Sequence, residues 1–262
     1  MDMPPTPHDD TLARNAATLR ARVAEAALRA NRDPGDVTIM AVTKTIPVAR
    51  ILAAVALGFT VLGENRVQEA ITKQDALRAL TTPPALRWEL IGHLQSNKAP
   101  LAVTRFARIQ SVDSLRLAEE LARRVAQRIQ AGAVSGAEAP GADDGNRLPI
   151  LLEVNVAGET SKSGLAPDEV VDAARAIAAL PHLRPEGLMT VAPLVEDAEA
   201  VRPVFRRLRE LRDRLRDAVP LGADGGWRDL SMGMSDDYAV AVEEGAAILR
   251  IGRGLFGACP SV

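Results

Sequence analysis

The chain has 262 residues, 47% of them hydrophobic and 25% charged, a globular composition with enough length to bury a full core. A net charge of −2 and only 3% aromatic residues exclude a broad basic face for nucleic acid and a base-stacking platform. No apolar run is long enough to cross a bilayer, and the lone cysteine, Cys259, cannot close an internal disulfide, so a reducing, cytoplasmic setting is expected.

The opening stretch, MDMPPTPHDD, has neither a basic nor an apolar segment, so no signal peptide is expected. Residues 11–30 read as a helix, with Leu12, Ala16, Leu19, Val23, Ala26 and Ala27 at helical spacing. Residues 31–35 break it. A strand-like run at 37–43 leads to a helix opened by Pro47. A strand at 60–63 precedes a helix from Arg66, and a strand at 88–92 precedes the stretch from Gln95. Residues 106–112 lead into a helix over 114–130, with Ser114 as its N-cap. Residues 131–146, AGAVSGAEAPGADDGN, lack apolar periodicity. The span 131–147 is therefore expected to be a flexible loop insertion, since the same alternation resumes after it. Strands at 150–156, 186–191 and 230–234 then alternate with helices at 167–180, 198–218 and 236–244. A strand at 248–251 comes last. The strands read as buried on both faces rather than alternating, which marks a parallel sheet covered by helices. Eight such units predict a single α/β domain over 1–262, a (β/α)8 TIM-type barrel with an extra N-terminal helix.

In a parallel barrel the site lies at the C-terminal ends of the strands. Two readings stay open at Lys44, which closes the first strand. Its stem can sit among barrel side chains, with an amine of lowered pKa that forms a Schiff base. Alternatively it is a strand-end lysine whose head snorkels to water, and position alone leans that way. At the last two strand ends, Gly252 and Gly254 let backbone N–H groups approach an anion, and a helix starting near Asp236, capped by Ser235, points to the same corner. Ordinary capping and glycine turns explain those residues equally well. Arg250 lies inside a buried strand. It needs either an acid such as Glu64 or Glu153, or a bound heteroaromatic ring to hydrogen-bond. His93 has no second ligand at metal spacing, so no metal is expected. Asp236–Asp237 and Glu243–Glu244 read as helix charges, and the Arg-rich stretch 202–216 as a solvated amphipathic helix.

Eight stretches, AVTKTIP, LGENRVQE, WELIGHLQSNK, IQSVDS, LEVNVAGETSKSGL, EGLMTVAP, LSMGMSDDY and LRIGRGLFG, span nearly the whole chain. In that order they resemble the pyridoxal phosphate homeostasis protein family, also called proline synthetase co-transcribed homologues. That family is similar to a free-standing N-terminal domain of alanine racemase, a fold type III barrel. The resemblance implies pyridoxal 5′-phosphate (PLP) linked to Lys44 as a Schiff base. It implies Arg250 near the pyridine nitrogen, Asn65 near the ring, and Ser235, Gly252 and Arg253 around the phosphate. Ser231, Met232 and Met234 would shape that loop. It also implies a monomer or weak homodimer that buffers PLP or delivers it to apo PLP-dependent enzymes, with no nucleic-acid or membrane partner and no established turnover. Two departures stand out. Position 253 is commonly Thr or Ser in the family. Arg253 can meet the phosphate by its side chain, or point outward and leave the contact to backbone N–H groups. The tail ACPSV replaces a charged, Tyr-containing ending.

An arginine at the pyridine nitrogen disfavours its protonation, so the ring is a poorer electron sink. Racemization also needs bases on both faces of the substrate. The single tyrosine, Tyr238, falls on the helix after the seventh strand, where a structural role is expected. A low-activity PLP-dependent racemase or decarboxylase-like enzyme is the alternative, and a sugar-phosphate enzyme using Lys44 as its Schiff-base lysine is a third. Lys162, in SKSG, reads as a solvated loop lysine or, less favoured, a second PLP contact at the rim.

Overall fold

Eight parallel strands pair in chain order, and the last pairs with the first to close a barrel. They are β1 (Thr38–Val42), β2 (Val61–Glu64), β3 (Arg87–Leu90), β4 (Arg108–Val112), β5 (Leu148–Glu153), β6 (Leu183–Met189), β7 (Asp229–Ser231) and β8 (Ile248–Ile251). A computed structural model of the protein describes residues 7–80, 85–132, 147–159, 162–221 and 226–257. Residues 133–146 of the expected loop insertion lie outside the described residues, as do Cys259 and the ACPSV tail. No helix among the described residues is long and apolar enough to cross a membrane.

The helices follow their strands: α2 (Val48–Ala56), α3 (Val67–Leu80), α4 (Ala99–Arg105), α5 (Leu115–Gln130), α6 (Val170–Ala178), α7 (Arg202–Ala218), α8 (Tyr238–Glu243) and the short α9 (Arg253–Phe256). Ser114 caps α5 as expected, its hydroxyl accepting the Leu117 N–H at 3.3 Å. On α7, Phe205, Leu208, Leu211 and Leu215 are buried at helical spacing while arginines occupy the other face. The N-terminal helix α1 (Pro7–Arg29) packs on α8, α9 and α2. Because α9 is a single turn, α1 supplies the cover that β8 and β1 would otherwise lack. Its buried stripe is the one the spacing predicts: Leu12, Ala16, Leu19, Val23, Ala26 and Ala27.

The main core fills the layer between sheet and helices. Met40, Leu151, Met189 and Ile248, from β1, β5, β6 and β8, form a small separate cluster across the barrel interior. A polar chain runs beside it. The Ser231 hydroxyl donates to Gln110 Oε1 at 2.6 Å, and Gln110 Nε2 donates to Glu89 Oε2 at 2.5 Å. Glu89 in turn pairs with Arg108, which also meets Glu186 at 2.9 Å and Asp229 at 2.5 Å. All of these groups find partners, as buried polar groups must.

Candidate functional site

Lys44 follows β1 in a tight turn. The Thr43 N–H still donates to the Gly63 carbonyl at 2.9 Å, extending the pairing with β2. Thr45, the next residue but one, has a left-handed backbone with φ 62°. This turn lifts Lys44 clear of the strand, and the residue is exposed, nearer the strand-end reading than the buried one. Its amine makes no hydrogen bond or ion pair among the described residues.

The chain leaving β8 runs beside this turn. A Cβ on Gly252 would lie 3.6 Å from Val42 Cβ, two residues before Lys44. Across the corner, the Ser235 hydroxyl accepts the Gly254 N–H at 2.9 Å. The backbone N–H groups of Ser235, Asp236, Gly252 and Arg253 carry no hydrogen bond among the described residues. The expected capping by Ser235 does not occur. α8 starts only at Tyr238 with Asp237 in the cap position, because Asp237 turns back to accept the Met234 N–H at 2.5 Å and tightens residues 234–237 into a turn. Asp236–Asp237 are thus turn residues rather than helix charges, whereas Glu243 closes α8 and pairs with Arg29 and Arg202. Arg253 extends outward and pairs with Asp236 at 2.5 Å, both side chains being exposed.

Arg250 is buried in β8 level with Met40 of β1. One Nη donates to Ser231 Oγ at 2.8 Å and the other to the Thr190 carbonyl at 2.7 Å. Of its five N–H donors, three therefore stay uncommitted. Glu64 is not its partner. That carboxylate is taken by Lys73 and the Thr43 hydroxyl, both at 2.7 Å. Burial pulls the Arg250 guanidinium down to about 10, against the attraction of Glu153 and Asp237. Burial likewise pushes the Glu153 carboxyl up to about 7. Asp113 adds to the rise, while Arg250 and His93 oppose it. His93 Nδ1 meets Asp113 at 3.0 Å.

Asn65, just after β2, is half-buried and its side chain makes no hydrogen bond among the described residues. A Cβ on Gly92 would strike the Asn65 carbonyl oxygen at 2.4 Å, so only glycine lets the β3 loop approach it. Ser231 and Met232 are fully buried, and Met234 is half-buried. Lys162 ties two rim loops together, donating to Glu159 at 2.5 Å and to the Ala192 carbonyl at 3.3 Å. No cluster of metal-ligating side chains occurs among the described residues. Sequence reasoning missed Lys73 and Glu69. Their i, i+4 spacing on the helix after LGEN was the available signal.

The profile of the family described as alanine racemase, N-terminal domain, matches residues 10–260. A relative from Pseudomonas aeruginosa, named pyridoxal phosphate homeostasis protein, is 42% identical over 248 residues, 95% of this chain and 96% of that one. The solved structure of PipY from Synechococcus elongatus, with PLP bound, is 36% identical with a TM-score of 0.73, covering 91% of this chain and 99% of PipY. Alanine racemase from Corynebacterium glutamicum shares the fold at 16% identity and a TM-score of 0.64, and this chain spans 61% of it. The chain belongs to the alanine racemase N-terminal domain family, among the pyridoxal phosphate homeostasis proteins.

Proposed function

We propose that this chain holds PLP at the C-terminal mouth of its barrel and serves PLP homeostasis, storing the cofactor and passing it to apo PLP-dependent enzymes. The observation that carries this is the convergence of three groups at one barrel end: the unpaired Lys44 amine, the uncommitted donors of buried Arg250, and the free N–H corner at Ser235 and Gly252. An aldehyde, a ring nitrogen and a phosphate need those three. PLP supplies an aldehyde that condenses with an amine, forming a C=N bond with loss of water, and a ring that withdraws electrons. Lys44 provides the amine, Arg250 a donor toward the ring nitrogen, and Asn65 a neighbour for the ring. Ser235, Gly252 and Arg253 hold the phosphate, while Ser231, Met232 and Met234 shape the loop. With its side chain on Asp236, Arg253 contributes its backbone N–H. The PLP-bound state of PipY supports this reading. We place the protein in the cytoplasm as a monomer or weak homodimer.

A carrier role fits the chemistry better than turnover. A guanidinium beside the ring nitrogen keeps that nitrogen unprotonated. Tyr238 packs against the core from α8, so it is poorly placed to serve as a second base. Titrating PLP into wild type and Lys44→Ala, read by visible absorbance, tests the assignment. Wild type should gain the absorbance of a lysine-linked cofactor and Lys44→Ala should not. A colourless wild type ends the proposal. The second reading is a slow racemase or decarboxylase-like enzyme, for which Glu153, its carboxyl pushed up to about 7 by burial, would be the candidate base. Loss of the α-hydrogen from a chiral amino acid, abolished by Lys44→Ala, would establish it.

A further inference from the structure

The residues on either side of Lys44 are held by one ion-pair cluster on α3. Lys73 Nζ, on α3 and 9% exposed, donates to the Thr43 carbonyl at 2.5 Å, to Glu64 Oε1 at 2.7 Å and to Glu69 Oε1 at 2.7 Å. That uses all three of its donors. Glu69 Oε1 also accepts the Thr45 N–H at 2.6 Å. Thr43 is thus held directly and Thr45 through Glu69. Thr45 needs holding, because a β-branched residue avoids the left-handed region it occupies at φ 62°. Glu64 adds a third tie, accepting the Thr43 hydroxyl at 2.7 Å from the end of β2. Lys44 itself, between these fixed points, is exposed. Its backbone is therefore immobilised by neighbours while its amine stays free.

We propose that Lys73 and Glu69 are positioning residues that hold the strained turn around Lys44 and so set the approach of the Lys44 amine to an aldehyde ligand. The inference rests on the PLP reading above. It predicts that loosening the turn weakens capture of PLP without unfolding the barrel.

PLP titrations followed by visible absorbance across a pH series, with melting curves of each PLP-free protein, test it. In Glu69→Ala the Thr45 N–H and one Lys73 donor lose their acceptor, and the apparent Kd for PLP should rise about tenfold or more. The pH midpoint of the lysine-linked absorbance should shift as well. Glu69→Gln keeps an oxygen acceptor and should restore most of both. A second variant, Lys73→Met with Glu64→Gln, removes the ammonium without stranding a buried charge and should behave like Glu69→Ala. Folded Glu69→Ala with wild-type Kd and midpoint would overturn the clamp while leaving the PLP reading intact. Absence of the absorbance in wild type would instead defeat the PLP reading. Glu69, at 27% side-chain exposure, is the variant that decides if the buried double substitution fails to fold.

Discussion

Single residues at the barrel mouth carry charges that folding itself has tuned. Glu153 shows this most directly. Burial and Asp113 raise its carboxyl to about 7, with Arg250 and His93 pulling the other way. Its pKa in the unfolded chain is about 4.3, so the folded state prefers the protonated acid. The resulting stability is fully present below the unfolded pKa and is lost as pH rises through about 7. Glu153→Gln mimics the protonated acid. It should be more stable than wild type by about 1–3 kcal/mol at about pH 8.5, after discounting for partial exposure, and nearly equal to it below about pH 4. Denaturant midpoints at the two pH values check this, and a gap that does not widen with pH would refute it. Arg250 sits within reach of the same field but remains protonated at neutral pH, so its donors stay available throughout. None of these interactions follows from residue type alone. The sequence names Glu153 and Arg250 as buried and charged, but not that Arg250 spends its bonds on Ser231 and Thr190.

At the scale of elements, apolar runs gave away all eight strands and the parallel sheet, because a strand buried on both faces can hardly read otherwise. Boundaries were less legible. The runs at 106–112 and 150–156 shorten and shift to Arg108–Val112 and Leu148–Glu153, since residue hydrophobicity does not say where a ladder ends. The helix expected over 198–218 begins with a 3-10 turn at Ala198–Val201 before α7. Strand β6 carries an irregularity that no periodicity marks. Its pairing with β5 jumps from Pro185 to Gly187, leaving Glu186 as an extra residue. The Arg228 N–H bonds the Glu186 carbonyl at 2.8 Å, which draws β7 tightly against Gly187. A Cβ there would lie 1.9 Å from the Asp229 carbonyl oxygen, a backbone atom that cannot rotate away. Gly187→Ala should therefore cost about 3 kcal/mol or more by parting β6 from β7. Gly252→Ala would meet only atoms at 3.6 Å or beyond and should leave stability nearly unchanged. Urea midpoints of the two variants make the comparison, and equal losses would contradict it.

The whole barrel closes through seams of unequal strength. β5 and β6 share six register pairs, whereas β7 and β8 share one, Ser231 with Ile248, and β1 and β2 share two. The thinnest seam, β7 with β8, flanks the proposed site, while β3–β4 and β4–β5 on the other side also share two pairs each. The β7–β8 seam is reinforced by side chains instead: Arg250 reaches from β8 to Ser231 of β7, and the chain through Gln110 and Glu89 continues to Arg108 on the far side. The barrel was legible from sequence because eight alternating units leave few other architectures, but this cross-bracing depends on which side chains meet inside, which no spacing rule reports. A ligand joined to Lys44 and held by Ser235 and Gly252 would link β1 to the loops after β7 and β8, across the weakest part of the wall. It would bind the folded state alone. PLP at 100 times its Kd should then stabilise the protein by about 2.7 kcal/mol, a rise in Tm of roughly 5–10 °C for a domain of this size. Lys44→Ala at the same PLP concentration should show less than about half that rise, because it keeps only the phosphate and ring contacts. An equal rise in both proteins would mean that PLP stabilises the barrel from somewhere other than the Lys44 turn.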